Sequence, residues 1–188
     1  MNKMIIISAP SGAGKTTIVK EIMKIESLNL MFSISATSRK PRKNEKDKVD
    51  YNFLSISDFK NKIKKQEFVE WEQVYENQFY GTLKSEIKQI WDINKNIIFD
   101  VDVKGGIKIK KQFPDNSLAI FIKPPSIDEL KNRLQQRGTE SIKSLQKRID
   151  KAKYELTFED KFDVTIINNR LSDAILKTKQ IITEFLKH

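Results

Sequence analysis

Four short runs of this chain are apolar at consecutive positions and rich in β-branched residues: Met4 to Ser8, Ile97 to Val101, Leu118 to Ile122 and Val164 to Ile167. Unbroken apolar runs of this length mark strands covered on both faces. Helical periodicity separates them. Ile18, Ile22 and Ile25 fall on one helix face, Ile127, Leu130 and Leu134 on a second, and Ile175, Ile182 and Leu186 on a third. Such alternation predicts an α/β fold: a parallel sheet with right-handed crossovers and helices on both sides, three layers deep.

A different texture lies between the first helix and Ile97. Phe32-Ser33-Ile34-Ser35, Tyr51-Asn52-Phe53 and Phe68-Val69-Glu70-Trp71 alternate or half-alternate, which predicts short, partly exposed antiparallel strands in an inserted mixed α/β lobe. Ser55 or Ser57 would cap an intervening helix carrying Phe59 and Ile63. A second insertion follows Pro124-Pro125, where Ser126 and Glu129 fit a capping box that opens a basic helix. The expected organisation is one domain over 1–188. Within it, 1–32, 93–124 and 161–188 form the core, 33–92 the inserted lobe and 125–160 a helical lid.

The stretch Ser8-Ala9-Pro10-Ser11-Gly12-Ala13-Gly14-Lys15-Thr16-Thr17 sits between the first strand and the first helix. Strand, Gly-rich turn and helix in that order make a phosphate-binding loop, whose backbone N–H groups point at a polyphosphate. Lys15 would supply a positive charge for the β- and γ-phosphates and Thr16 a hydroxyl for Mg²⁺. Ala9 stands where the pattern usually has its first glycine, which is acceptable if the local φ is negative.

Composition narrows the chemistry. The chain has no cysteine, so thiolate nucleophiles, thiolate–zinc sites and disulfides are excluded, and its single histidine is His188, read as a solvated end. A Ser-His-Asp triad has no material here. No apolar run reaches membrane-spanning or signal-peptide length, so a soluble, cytoplasmic protein with no membrane partner is expected. The net charge of +10 is scattered through every predicted element, which favours solvated helix faces over a nucleic-acid surface.

Three further clusters refine the nucleotide site. Arg39 and Arg42, stiffened by Pro41 and followed by Glu45 and Tyr51, suit a monophosphate through guanidinium forks and a phenol hydroxyl. An exposed basic turn would show the same spacing. Glu70, followed at some distance by Tyr80-Gly81-Thr82, offers a carboxylate that can accept both N1–H and the 2-amino group of guanine. Adenine has no such donor pair. Ser35 and Thr82 could complete the O6 edge, with Tyr80 near the phosphate, although spacing alone equally fits Glu70 as the solvent-facing member of a strand. Arg133 and Arg137 share a helix face, with Arg148 beyond, and could close over a triphosphate; solvated helix charge gives the same pattern. Asp100 and Asp102 end a strand at the carboxyl edge of the sheet, where Mg²⁺-bound water or the acceptor nucleotide is expected.

Together these segments, with Pro124-Pro125-Ser126 and Arg137-Gly138-Thr139, resemble the guanylate kinase family nearly end to end. The resemblance implies a P-loop NTPase core, an inserted GMP-binding lobe and a lid, and transfer of a phosphoryl group from ATP to GMP or dGMP with Mg²⁺. It further implies that Ser35, Arg39, Arg42, Glu45, Tyr51, Glu70, Tyr80, Thr82, Asp100 and Gly105 hold GMP. Ala9, Pro10, Ser11, Gly12, Ala13, Gly14, Lys15, Thr16, Thr17, Arg133, Arg137, Arg148 and Asn168 would serve ATP. Catalysis would rest on Lys15, Arg39, Arg42, Arg133, Arg137 and Arg148, and Mg²⁺ on Thr16 directly and on Asp100 and Asp102 through water. Several residues depart from the family pattern: Ala9, Asn44 and Lys48 stand for glycines, Lys104 for the usual glutamine, Asn169 for the usual aspartate. Tyr75 to Gln78 runs one residue long. The rival reading is a guanylate-kinase-like protein-interaction module without catalysis, which Mg·ATP titration would distinguish.

Overall fold

The computed structural model describes residues 2–136 and 142–187. In chain order the elements are β1 (Met4–Ser8), α1 (Lys15–Met23), β2 (Leu30–Phe32), β3 (Ala36–Thr37), β4 (Asn52–Phe53), α2 (Ile56–Lys64), β5 (Phe68–Tyr75) and β6 (Gln78–Leu83). They continue with α3 (Lys84–Asp92), β7 (Asn96–Asp100), α4 (Val103–Gln112), β8 (Ser117–Lys123), α5 (Ile127–Gln136), α6 (Ile142–Leu156), β9 (Val164–Ile167) and α7 (Leu171–Lys187).

The first sheet has strand order β2-β7-β1-β8-β9, with every neighbour parallel. The unbroken apolar run of β1 follows from its place at the centre. Ile5 and Ile7 pack with Ile18, Val19 and Ile22 of α1 and Ala174 and Ile182 of α7, whereas Met4 and Ile6 pack with Ile87 and Ile90 of α3 and Ile109 of α4. Successive side chains of a strand point to opposite faces, so a two-sided cover requires apolar residues at each position.

The second sheet is mixed, with order β4-β3-β6-β5. It packs on α2 through Phe59, whose ring stacks on Phe68 at 4.4 Å and Phe79 at 5.4 Å between centroids. Ser55 caps α2, accepting from the Asp58 N–H at 3.0 Å. Ser126 accepts from the Glu129 N–H at 3.0 Å, so half of the expected capping box forms at the start of α5. Leu130 and Leu134 of α5 pack with Ile149 and Ala152 of α6 in a small apolar cluster of their own.

Two expectations for the inserted lobe are corrected. Phe32 does not open a lobe strand: Leu30–Phe32 is an edge of the parallel sheet, paired with Asn96 to Ile98. Met31 and Phe32 cover opposite faces of that sheet, which the local alternation Phe32-Ser33-Ile34-Ser35 concealed. The Asn52–Phe53 strand pairs with β3 in parallel, not antiparallel, because 38–51 form a long loop instead of a hairpin.

Candidate active site

The carboxyl ends of β1 and β7 converge where α1 and α4 begin. Gly12 and Gly14 have φ of +96° and +94°, a region L side chains rarely enter, and Gly14 is the N-terminal residue before α1. A Cβ on Gly14 would stand 2.4 Å from Asn168 Nδ2. Ala9 is buried and outside the positive-φ set, which is why an alanine is tolerated there.

Neighbouring elements clamp this loop. The buried Asn168 donates from Nδ2 to the Ala13 carbonyl at 2.7 Å, and Arg133 donates to the Asn168 carbonyl at 3.1 Å and to Glu129 at 2.8 Å. From α6, Arg148 donates to Ser11 Oγ. Pro10 is buried and accepts from the Ala13 N–H at 3.1 Å, and Thr17 is exposed on the first turn of α1. Arg137, with Gly138 and Thr139, lies outside the described residues, as does His188.

Lys15 Nζ is bonded to Asp100 Oδ1 and, at 3.1 Å, to the Val101 carbonyl. The other oxygen of Asp100 accepts from Thr16 Oγ1 at 3.0 Å. Burial pulls the Lys15 ammonium down to about 8 against the opposing pull of Asp102 and Glu155. Asp102 caps α4, accepting from the Gly105 N–H at 2.7 Å.

On the lobe side, Glu70 is 8% exposed, so it is not the solvent-facing strand residue that its spacing allowed. Thr82 Oγ1 donates to Glu70 Oε1 at 2.8 Å, and burial pushes the carboxyl up to about 7 despite that bond. A Cβ on Gly105 would lie 3.1 Å from Glu70 Oε2, so glycine lets α4 approach the carboxylate.

The Arg39 guanidinium is anchored by protein partners. Its two terminal nitrogens bind the two oxygens of Glu45 at 2.6 and 2.7 Å, Nε donates to Tyr80 Oη at 2.9 Å, and its guanidinium lies 4.9 Å from the Tyr51 ring centroid. Arg39 holds the Glu45 carboxyl at about 2, and burial raises the Tyr51 phenol. Arg42 is exposed, and its backbone N–H donates to Glu45 at 2.8 Å.

Lys15, Ser11, Asp100 and Asp102 share one cleft of about 450 Å³ with Ser35, Tyr51, Glu70 and Tyr80. Gly81 lines it too, as do Glu72, Val74 and Lys151, and sequence reasoning did not name these last three. The signal existed for all three. Glu72 and Val74 follow Glu70 at the strand period of two, which puts all three on one face. Lys151 follows Arg148 by three on a helix and so shares its face.

A family model described as guanylate kinase matches residues 1–185. A guanylate kinase of Porphyromonas gingivalis is 48% identical over 186 residues, covering 99% of both chains. One from Bacteroides fragilis is 50% identical over 184 residues, covering 98% of this chain and 90% of its own. The crystal structure of guanylate kinase from Anaplasma phagocytophilum superposes with a TM-score of 0.73 at 24% identity, covering 99% of this chain and 85% of that one, so the two share a fold. A phosphate loop at one end of the cleft, a buried carboxylate at the other and a family match over nearly every residue lead to one conclusion: the chain belongs to the guanylate kinase family.

Proposed function

We propose that the chain transfers the γ-phosphoryl group of ATP to GMP, giving ADP and GDP, and takes dGMP as a second acceptor. The observation that carries this reading is the single cleft lined by both Lys15 and Glu70. One end suits a triphosphate and the other a purine with a paired donor edge.

Glu70, pre-positioned by the Thr82 hydroxyl, accepts N1–H and the 2-amino group of guanine, and Ser35 faces the O6 edge. Adenine would leave a desolvated carboxylate without its donors, which is the physical basis of rejection. Tyr80, Tyr51, Arg39 and Arg42 hold the acceptor phosphate, with Glu45 keeping the Arg39 fork rigid. Rigid donors aimed at a phosphate lower the barrier by orientation.

On the donor side, Ser11 to Thr16 wrap the phosphates with backbone N–H groups, and Lys15 exchanges Asp100 for phosphate oxygen. Arg133, Arg137 and Arg148 add charge from the lid, and closing it excludes the water that would otherwise hydrolyse ATP. Transfer is direct and in line, without a covalent enzyme intermediate.

Thr16 Oγ1 and Asp100 Oδ2 are hard oxygen donors 3.0 Å apart, a sparse set that fits Mg²⁺, which keeps several waters and takes phosphate oxygens. Thr16 directly, and Asp100 and Asp102 through water, would hold the ion, and it would supply positive charge against the donor phosphates. The test is an ADP-release assay with ATP against GMP, dGMP, AMP, UMP and CMP. Turnover with the guanine nucleotides alone is expected; equal turnover with AMP would overturn the reading.

A further inference from the structure

Glu72 is a second carboxylate in the cleft, two residues beyond Glu70 on β5. The register of β5 and β6 sets their neighbours: Glu70 is opposite Thr82, and Glu72 is opposite Tyr80. Side chains two apart on a strand share a face, so the face toward the cleft carries two rows. One row, Glu70 with Thr82, is the base-reading row. The other, Glu72 with Tyr80, adjoins the phosphate end, because Tyr80 Oη is bonded to Arg39.

A nucleotide spanning from the first row to Arg39 carries its sugar past the second. Glu72 is the acidic member of that row, and its acceptor capacity is unspent. Oε1 has one loose partner, Lys104 Nζ at 3.5 Å, and the buried Oε2 has no hydrogen-bond partner among the described residues. Lys104 in turn lies 5.6 Å from the Tyr154 ring centroid of α6, which holds it beside the strand. This also gives a place to Lys104, a departure from the family pattern. The terminal torsion of a glutamate is soft, so a small rotation turns either oxygen to a donor in the cleft.

We infer that Glu72 accepts a hydrogen bond from a ribose hydroxyl of the acceptor nucleotide and so makes the ribonucleotide a better substrate than its 2′-deoxy counterpart. The inference rests on the acceptor assignment proposed above. A carboxylate accepting from a ribose 2′-OH is an established solution to sugar recognition. The 2′-deoxy sugar leaves that acceptor without its donor, and a hydrogen bond to a charged group changes affinity by about tenfold or more.

The experiment compares kcat/KM for GMP and dGMP in the wild type, Glu72→Ala and Glu72→Gln. The expected result is a wild-type preference for GMP that falls about tenfold in Glu72→Ala, with dGMP turnover unchanged. Glu72→Gln, whose amide oxygen still accepts, should retain part of the preference. An unchanged ratio in Glu72→Ala overturns the inference and leaves the acceptor assignment standing, as does an equal loss with both nucleotides, which marks a purely structural role. A wild type that turns over neither nucleotide overturns the acceptor assignment and this inference with it.

Discussion

Lys15, on the first turn of α1, is ion-paired with Asp100 at the last position of β7, 85 residues away in sequence. The same carboxylate also accepts from Thr16. The two groups proposed for phosphate and Mg²⁺ are thus held by one residue. A buried ammonium without a counter-charge is costly, so the pair keeps Lys15 in place for the phosphate contact proposed for it.

Lys15→Ala should therefore lower kcat by roughly 10²-fold or more while leaving the fold intact, because Asp100 retains its bond to Thr16. Steady-state ADP release and circular dichroism check the two halves of that statement.

Glu70 ties binding to pH. In the proposed role it must be ionised to accept both guanine donors, and its carboxyl is pushed up to about 7 by burial. The KM for GMP should fall as pH rises through about 7, and this limb should vanish in Glu70→Gln. Stability carries the opposite sign. Between the ordinary carboxylate value of 4.5 and about 7, the folded chain keeps a proton that the unfolded chain has lost, so stability falls as pH rises across that window. Thermal melts of wild type and Glu70→Gln across the window should show this slope only in the wild type.

Gly14→Ala should damage both the loop and its clamp. The φ of +94° costs an L-residue roughly 1–2 kcal/mol, and the new Cβ displaces the Asn168 amide that serves the Ala13 carbonyl. Tm should fall by roughly 2–8 °C, and ATP binding should weaken far more than GMP binding. Calorimetric titration with each nucleotide separates the two.

Glu45→Ala should raise the KM for GMP by about tenfold and leave that for ATP unmoved. It removes both oxygens that hold the Arg39 fork, and with them the rigidity proposed for the phosphate contacts. Steady-state kinetics with each substrate varied in turn checks it.

The parts of the molecule readable from sequence were those coded locally. The apolar runs of β1, β7 and β8 announced strands covered on both sides, and the order strand, Gly-rich turn, helix announced the phosphate loop; the run Val164 to Ile167 announced a strand too, but β9 is an edge of the sheet and its Ile167 is exposed, not covered on both faces as expected. Long-range pairing was not coded locally. The alternation around Phe32 looked the same for a lobe strand as for the sheet edge it forms, because β2 needs β7 to reveal it. Burial of Glu70 depends on α4 arriving with a glycine, Gly105, close to its carboxylate. The turn of Arg39 onto Glu45 depends on the path of the loop, which puts Lys48 at φ of +60°, a conformation that lysine adopts at a cost and that its place at a family glycine position signalled.

Base discrimination tests the account most directly. The ratio of kcat/KM for GMP over AMP should drop by roughly 10²-fold in Glu70→Gln, since the amide presents a donor where a second acceptor is needed. A variant that discriminates as sharply as the wild type would contradict the assignment of Glu70 as the residue that selects guanine.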